Sequence, residues 1–227
     1  METVLITGAS RGIGLELTNK FLELNYKVIA TYRNKPSTEL EKLQSNENIS
    51  LIELEVTDEI SINKLKDYLQ GIKIDILINN AGIIGPEDQS VEGITRQDWL
   101  TTFAINSIAP LMISRAVLNN MESAINPRII TISSQMGAIN RDNVGMYAYR
   151  SSKVAVNKVM KVLALELKEK SIAVCLIHPG WVKTDMGGEN ADISATKSAS
   201  GIVNIAQELT MESSGKFFNW EGNEHVW

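Results

Sequence analysis

The chain has 227 residues, of which 44% are hydrophobic and 22% charged, and its formal net charge is −5. This length and composition are typical of one folded domain with a full core, and the negative charge without a basic run argues against a nucleic-acid surface. The hydrophobic runs are only strand-sized and no basic leader precedes the first of them, so we expect a cytoplasmic protein without a membrane-spanning segment. The single cysteine, Cys175, is expected in the core.

Short hydrophobic runs alternate with longer helical patterns along the chain. The runs are rich in Ile, Val and Leu and nearly continuous, which is typical of strands covered on both faces. This alternation predicts an α/β fold, with one parallel sheet of about seven strands and helices on both faces. The predicted strands are 3–7, 27–31, 49–54, 74–79, 128–133, 172–178 and 215–220. Two long helices are predicted at 97–121 and 145–169.

The first predicted strand ends in "TGASRGIG", which places Gly8, Gly12 and Gly14 directly before a helix. Glycine lets the backbone approach a pyrophosphate, and a helix N-terminus presents free N–H groups with partial positive charge. The spacing differs from G-x-G-x-x-G, so the glycines alone are also consistent with a βα turn that binds nothing. The position between the first strand and a helix favours a nucleotide.

The end of the second strand predicts which dinucleotide is bound. NAD sites often have a carboxylate here for the ribose hydroxyl, whereas this chain has Tyr32 followed by Arg33, and Arg11 lies in the first turn. Two guanidinium groups suit a 2′-phosphate, which favours NADP(H). Two solvent-facing arginines and NAD(H) remain the alternative.

Five motifs occur in a characteristic order: "TGASRGIG", "INNAG" (78–82), "ISS" (132–134), "YRSSK" (149–153) and "HPGWVKTD" (178–185). Together they resemble the short-chain dehydrogenase/reductase family over essentially the whole chain, in particular its branch of C-factor and sniffer-type carbonyl reductases. The resemblance implies a single Rossmann domain over 1–227, with a dinucleotide-binding half at about 1–95 and a catalytic and substrate half at about 96–227. In many family members the two long helices form dimer faces, so a homodimer or homotetramer is expected.

The resemblance also implies the site residues. The implied catalytic residues are Asn106, Ser134, Tyr149 and Lys153. The implied cofactor-binding residues are Gly8, Ser10, Arg11, Gly12, Ile13, Gly14, Tyr32, Arg33, Glu55, Val56, Asn80, Ala81, Gly82, Tyr149, Lys153, Pro179, Gly180, Val182 and Thr184. Glu55 stands where the family usually has aspartate.

Two tyrosines precede Lys153, and helix geometry selects one of them. Tyr149 is four residues before the lysine and shares its face, whereas Tyr147 is six residues before it and points elsewhere. A cation about 5 Å away, at an effective dielectric of about 20, contributes about 3 kcal/mol, or roughly two pKa units. We therefore expect Lys153 to lower the pKa of the Tyr149 phenol. Pro110 lacks the N–H that would bond the Asn106 carbonyl, so we also expect a kink that leaves this carbonyl free for the water which, in the family, relays protons to the lysine.

These residues predict a carbonyl reductase that takes hydride from NADPH and a proton from Tyr149. The expected substrate-side residues are Ser134, Met136, Val144, Tyr147, Trp181 and Met186. They suggest a fairly apolar small molecule, although they are also consistent with core positions. The alternatives are an NAD-dependent alcohol dehydrogenase working in the oxidative direction and a regulatory protein that only binds dinucleotide. The sequence shows no clustered metal ligands and no serine-hydrolase elbow.

The ending "KFFNWEGNEHVW" is rich in aromatic residues. It is consistent with closing the substrate side, packing on the last strand, or meeting another subunit.

Overall fold

The computed structural model describes residues 1–142 and 144–227. Its strands are β1 (Thr3–Ile6), β2 (Lys27–Tyr32), β3 (Ile49–Glu53), β4 (Ile76–Asn79), β5 (Arg128–Ile132), β6 (Ala173–His178), β7 (Val182–Lys183), β8 (Ile193–Ser194) and β9 (Phe217–Asn219). Its α-helices are α1 (Gly12–Glu23), α2 (Thr38–Lys42), α3 (Glu59–Tyr68), α4 (Arg96–Phe103), α5 (Ala109–Met121), α6 (Tyr147–Glu166) and α7 (Ala195–Glu208). A π-helical turn, Ala104–Ile108, joins α4 to α5, and short 3₁₀ turns lie at Leu43–Ser45, Gln135–Gly137 and Met211–Ser213.

Seven parallel strands form the main sheet in the order β3-β2-β1-β4-β5-β6-β9. Strands β1, β4, β5 and β6 are buried along their whole length, which explains why their sequences are continuously hydrophobic. The chain reverses its direction of winding between β1 and β4, and ligands of such sheets bind outside the carboxyl ends of the strands at this point. The predicted fold is confirmed.

Two hydrophobic clusters cover the two faces of the sheet. One contains Leu17 and Phe21 of α1 together with Ile202 of α7. The other contains Ile113 of α5 and Val156 of α6. Each helix therefore buries one hydrophobic stripe against the sheet, as its sequence pattern predicts.

The long helical pattern at 97–121 is not one regular helix. Its π-helical turn is closed by a hydrogen bond from the Ala109 N–H to the Ala104 carbonyl, and Pro110 follows at the start of α5. The expected irregularity therefore takes the form of a widened turn around Asn106. By length and composition alone, Arg96–Met121 could also cross a membrane, but core helices pass the same test, and Ile113 and Val117 are buried against the sheet.

The aromatic tail packs on the last strand. Phe218 forms an antiparallel bridge with Glu224, and the His225 N–H donates to the Phe217 carbonyl at 2.7 Å. The Trp227 ring lies 5.5 Å from the Phe217 ring, centroid to centroid. The tail therefore covers the outer edge of β9. Of the three roles considered for it, this is packing on the last strand.

Candidate active site

A cleft of about 530 Å³ runs along the carboxyl ends of the central strands. All predicted cofactor residues line this cleft except Gly180 and Val182. Val182 is buried in β7, and Gly180 faces a neighbouring cavity. The additional lining residues are Lys35, Pro36, Ser37, Leu54, Ile83, Ile105, Ile132, Ser133, Asp185 and Met186.

The turn after β1 needs its glycines because the backbone is crowded there. Gly8 has a φ of +68°, and a Cβ at this position would lie 2.9 Å from the Ala81 Cα. A Cβ on Gly14 would lie 2.2 Å from the Gly8 carbonyl oxygen and 2.6 Å from the Asn80 side-chain nitrogen. That amide nitrogen donates to the carbonyls of Thr7 and Gly8, both at 3.0 Å, and fixes the turn. Asn80 therefore helps to build the turn as well as lining the cleft.

The start of α1 fits the diphosphate of a dinucleotide. The residue before the helix, Arg11, makes no side-chain capping hydrogen bond, so the first N–H groups of α1 keep their binding capacity. Ser10 Oγ is buried in the same turn without a hydrogen-bond partner among the described residues. A buried hydroxyl rarely stays unsatisfied, and a phosphate oxygen is a suitable partner for it.

Three cations line the cleft: Arg33 and Lys35 directly after β2, where the adenosine ribose is expected, and Arg11 in the turn after β1. Arg33 lies 4.0 Å from Glu55, Arg11 lies 2.9 Å from Asp185, and Lys35 has no ion-pair partner within 1–142 and 144–227. The sequence interpretation missed Lys35, which stands only three residues after Tyr32. Its basic charge close to the end of β2 was the signal that could have identified it.

Helix α6 carries Tyr149 and Lys153 into the cleft. Both side chains are buried, with 8% and 6% exposure, and the lysine Nζ lies 5.8 Å from the centroid of the tyrosine ring. Nζ donates a hydrogen bond of 2.9 Å to the Ile132 carbonyl at the end of β5. Tyr147 is 43% exposed, and its ring centroid lies 6.4 Å from that of Trp99. Helix geometry therefore selected the tyrosine that reaches the cleft.

The expected lowering of the Tyr149 pKa is wrong. Burial raises the pKa of Tyr149, and a hydrogen bond with the Ser134 side chain lowers it by a smaller amount. Burial also lowers the pKa of Lys153 to about 8. Burial is therefore the larger effect on both pKa values, because removal from water disfavours each charged form.

The two serines after β5 have different partners. Ser133 Oγ donates to the Asn157 side-chain oxygen at 2.5 Å, so its hydroxyl proton is already engaged. Ser134 Oγ accepts from the Met136 N–H at 3.1 Å, and it lies close enough to the Tyr149 phenol to lower the pKa of that phenol. Ser133 lines the cleft, whereas the hydroxyl next to the phenol belongs to Ser134.

Asn106 lies in the π-helical turn and is 2% exposed. Its Oδ1 accepts from the Ile83 N–H at 2.9 Å, while its Nδ2 donates to the Ile83 carbonyl at 2.8 Å and to Ser152 Oγ at 3.0 Å. The side chain therefore joins the loop after β4 to α6. The water proposed at its backbone carbonyl stays a prediction.

Apart from Ser134, the expected substrate-side residues are distributed over four places. Met186 lines the cleft. Trp181 lines a second cavity of about 400 Å³ beside the ends of β6 and β9. Met136 lies in the 3₁₀ turn after Ser134, while Val144 and Tyr147 are exposed outside the cleft wall. The sequence therefore could not separate pocket residues from surface residues in this region.

Comparisons with known proteins identify the family to which the chain belongs. The family model described as short chain dehydrogenase matches residues 2–195. C-signal of Myxococcus xanthus is 36% identical over 156 residues, which cover 68% of this chain and 93% of that protein. The carbonyl reductase Sniffer of D. melanogaster has a TM-score of 0.95 at 33% identity, with full coverage of both chains. The NADPH-bound carbonyl reductase from chicken fatty liver has a TM-score of 0.90 at 33% identity, covering 100% of this chain and 99% of that one. The family match over most of the sequence shows that the chain belongs to the short-chain dehydrogenase/reductase family.

Proposed function

We propose that the chain is a cytoplasmic, NADPH-dependent carbonyl reductase that converts a ketone or aldehyde into an alcohol. The observation that carries this proposal is the burial of the Tyr149 phenol beside the Ser134 hydroxyl and one helical turn from the Lys153 ammonium. Tyr149 and Lys153 line a cleft whose glycine turn fits a dinucleotide, as does the Ser10 hydroxyl, which has no partner among the described residues.

Each side chain has a defined part in the reaction. Bound NADPH would supply the hydride that reduces the carbonyl carbon. Tyr149 gives its phenolic proton to the carbonyl oxygen as the general acid. Burial raises the pKa of this phenol, so the negative charge left on it needs a stabilising partner. Ser134 Oγ donates a hydrogen bond to the same carbonyl oxygen, on which negative charge develops. The Lys153 ammonium stabilises the phenolate that remains.

The cofactor preference follows from the charges at the end of β2. Arg33 and Lys35 line this part of the cleft, Arg11 lines the cleft from the turn after β1, and Tyr32 occupies the position where a carboxylate would hold a ribose hydroxyl. We infer NADPH on this basis, with NADH as the alternative. The NADPH-bound state of the chicken carbonyl reductase structure supports the same preference.

The cleft wall favours a fairly apolar substrate. Ile83, Ile105 and Met186 contribute hydrophobic side chains to it. A hydrophobic surface with few polar groups is typical of small-molecule sites, where the polar groups set the orientation.

The decisive experiment is a panel of aromatic and aliphatic carbonyl compounds, tested with NADPH and with NADH. We expect oxidation of NADPH by the wild type and a loss of about 10²–10⁴-fold in Tyr149→Phe, the usual contribution of a general acid. Tyr68→Phe, at an exposed tyrosine of α3, is the matched control and should retain wild-type rates. Absence of turnover in the wild type, or equal rates in wild type and Tyr149→Phe, would contradict the proposal.

The similarity to C-signal supports a second candidate, a regulatory protein that binds dinucleotide without turnover. The same panel separates the two. Tight NADPH binding without oxidation on any carbonyl would favour the regulatory protein.

A further inference from the structure

Among the described residues, the one that precedes α6 does not cap the first turn of this helix. The residue before the helix, Met146, has a left-handed backbone with a φ of 55° and makes no side-chain capping hydrogen bond. The first N–H groups of a helix have no partner within the helix. The N–H of Tyr149, which is buried, therefore needs a partner from elsewhere in the chain.

Gln89 provides this partner from the segment between β4 and α4. Its Oε1 accepts from the Tyr149 N–H at 2.9 Å, and its Nε2 donates to the carbonyls of Ile84 at 2.7 Å and Pro86 at 3.1 Å. The side chain is only 5% exposed, so water cannot replace these hydrogen bonds easily. The Gln89 side-chain amide thus joins the start of α6 to the loop after β4 that contains Ile84 and Pro86.

The loop is built closely around this amide. Gly85 has a φ of +94°, and a Cβ there would lie 2.9 Å from Thr102 Oγ1 and 3.2 Å from Gln89 Nε2. Only glycine fits both the left-handed backbone and the space. The Gln89 side chain therefore occupies a fixed position.

The carbonyl of Tyr149 is held from the other side. Ser152 Oγ donates to it at 2.7 Å and accepts from Asn106 Nδ2 at 3.0 Å. Asn106 in turn bonds the Ile83 backbone. Both backbone polar groups of Tyr149 are thus connected, through side chains, to the cleft loop at Ile83 and Ile84.

We propose that Gln89 is a positioning residue, which holds Tyr149 at the depth in the cleft that proton transfer requires. Its hydrogen bond fixes the first turn of α6, so the phenolic oxygen keeps its place relative to Ser134. A displacement of 1 Å at a reacting group costs about 10²-fold in rate. The catalytic consequence rests on the proposed function, whereas the hydrogen bond to the Tyr149 N–H can be tested without it.

Amide hydrogen exchange in the free protein tests the hydrogen bond. Gln89→Met keeps the length of the side chain but removes its acceptor and donors, and Gln44→Met at an exposed glutamine is the control. We expect the Tyr149 amide to exchange about three- to tenfold faster in Gln89→Met, the factor for one hydrogen bond. The amide of Val156 in the middle of α6 should be unchanged. Equal exchange of the Tyr149 amide in wild type and Gln89→Met would overturn the proposal.

Kinetics test the positioning. We expect Gln89→Met to lower kcat by about 10- to 100-fold with KM and NADPH affinity close to wild type, because the phenol is misplaced rather than the ligands lost. Unchanged kcat in a variant with faster Tyr149 exchange would show that the bond is only structural and would overturn the proposal. If the wild type reduces no carbonyl compound, the proposed function fails, and the exchange experiment still decides whether Gln89 holds the turn.

Gln89→Glu gives a conservative rescue and a second route if Gln89→Met does not fold. A protonated carboxyl can accept from the Tyr149 N–H and donate to the Ile84 carbonyl, as the amide does, whereas a carboxylate cannot donate. We expect kcat relative to wild type to fall as pH rises through the titration of the introduced carboxyl. A ratio independent of pH, with normal Tyr149 exchange throughout, would contradict the positioning role.

Discussion

The Nζ of Lys153 lies 5.8 Å from the centroid of the Tyr149 ring, and both side chains are buried. The lysine has no carboxylate partner within 1–142 and 144–227, and its Nζ donates to the Ile132 carbonyl instead. A buried ammonium without a counter-ion costs free energy, and this cost appears as the lowered pKa of about 8. The buried ammonium of Lys153 therefore lowers the stability of the folded protein.

Replacing this lysine should stabilise the protein while inactivating it. The lowered pKa means that the unfolded chain binds more protons than the folded chain above about pH 8. The destabilisation is therefore complete below this pH and is relieved as pH rises towards the unfolded pKa. We expect Lys153→Met to raise the free energy of unfolding at pH 7 by at most about 3 kcal/mol, since one pKa unit corresponds to about 1.4 kcal/mol.

Urea unfolding of wild type and Lys153→Met at pH 7 and pH 9.5 measures this effect. The difference between the two proteins should shrink at the higher pH. Lys158→Met, on the same helix but exposed, should show no such difference. A difference that grows with pH would show that the lysine is not destabilised by burial.

Tyr147 offers a comparison within the same helix. It has the same side chain as Tyr149 but lies against Trp99, outside the cleft. We expect Tyr147→Phe to keep kcat and KM near wild type, whereas Tyr149→Phe should lose about 10²–10⁴-fold in kcat. Steady-state rates with one carbonyl substrate check this. A KM increase in Tyr147→Phe would instead support the substrate role that the sequence first suggested.

The fold and the choice of Tyr149 over Tyr147 could be predicted from the sequence, because both depend on periodicity. Buried parallel strands give continuous hydrophobic runs, and a separation of four residues fixes Tyr149 and Lys153 on one helix face whatever surrounds them. The pKa of Tyr149 could not be predicted. It depends on the burial of the phenol and on its distance from Lys153, and the sequence contains neither quantity. Gln89 was missed for a similar reason. Its partner lies 60 residues away, and no local pattern marks a long-range cap.

Cofactor preference should change when the cations at the end of β2 are altered. Removal of Arg33 or Lys35 should weaken NADPH binding by about 10- to 100-fold, the loss of one charge-assisted hydrogen bond, and leave NADH binding almost unchanged. Glu55→Gln should strengthen NADPH binding by up to about fivefold, because Arg33 is released from a weak surface ion pair.

Fluorescence titration of each variant with both cofactors provides the measurement. Arg115→Ala, at an exposed arginine of α5, controls for a general loss of positive charge. If Arg33→Ala and Lys35→Ala weakened both cofactors equally, the cations would act on the shared diphosphate rather than on a 2′-phosphate.

Ser10 gives a test in which stability and binding change in opposite directions. Its hydroxyl is buried without a partner in the described part of the chain, and an unsatisfied buried polar atom destabilises the free protein. We expect Ser10→Ala to raise the free energy of unfolding by about 1 kcal/mol and to weaken NADPH binding by about tenfold, since the hydrogen bond to a phosphate is lost. Ser45→Ala, at an exposed serine, should change neither quantity. Urea unfolding and NADPH titration measure the two effects on the same samples, and unchanged NADPH affinity in Ser10→Ala would place the diphosphate away from this hydroxyl.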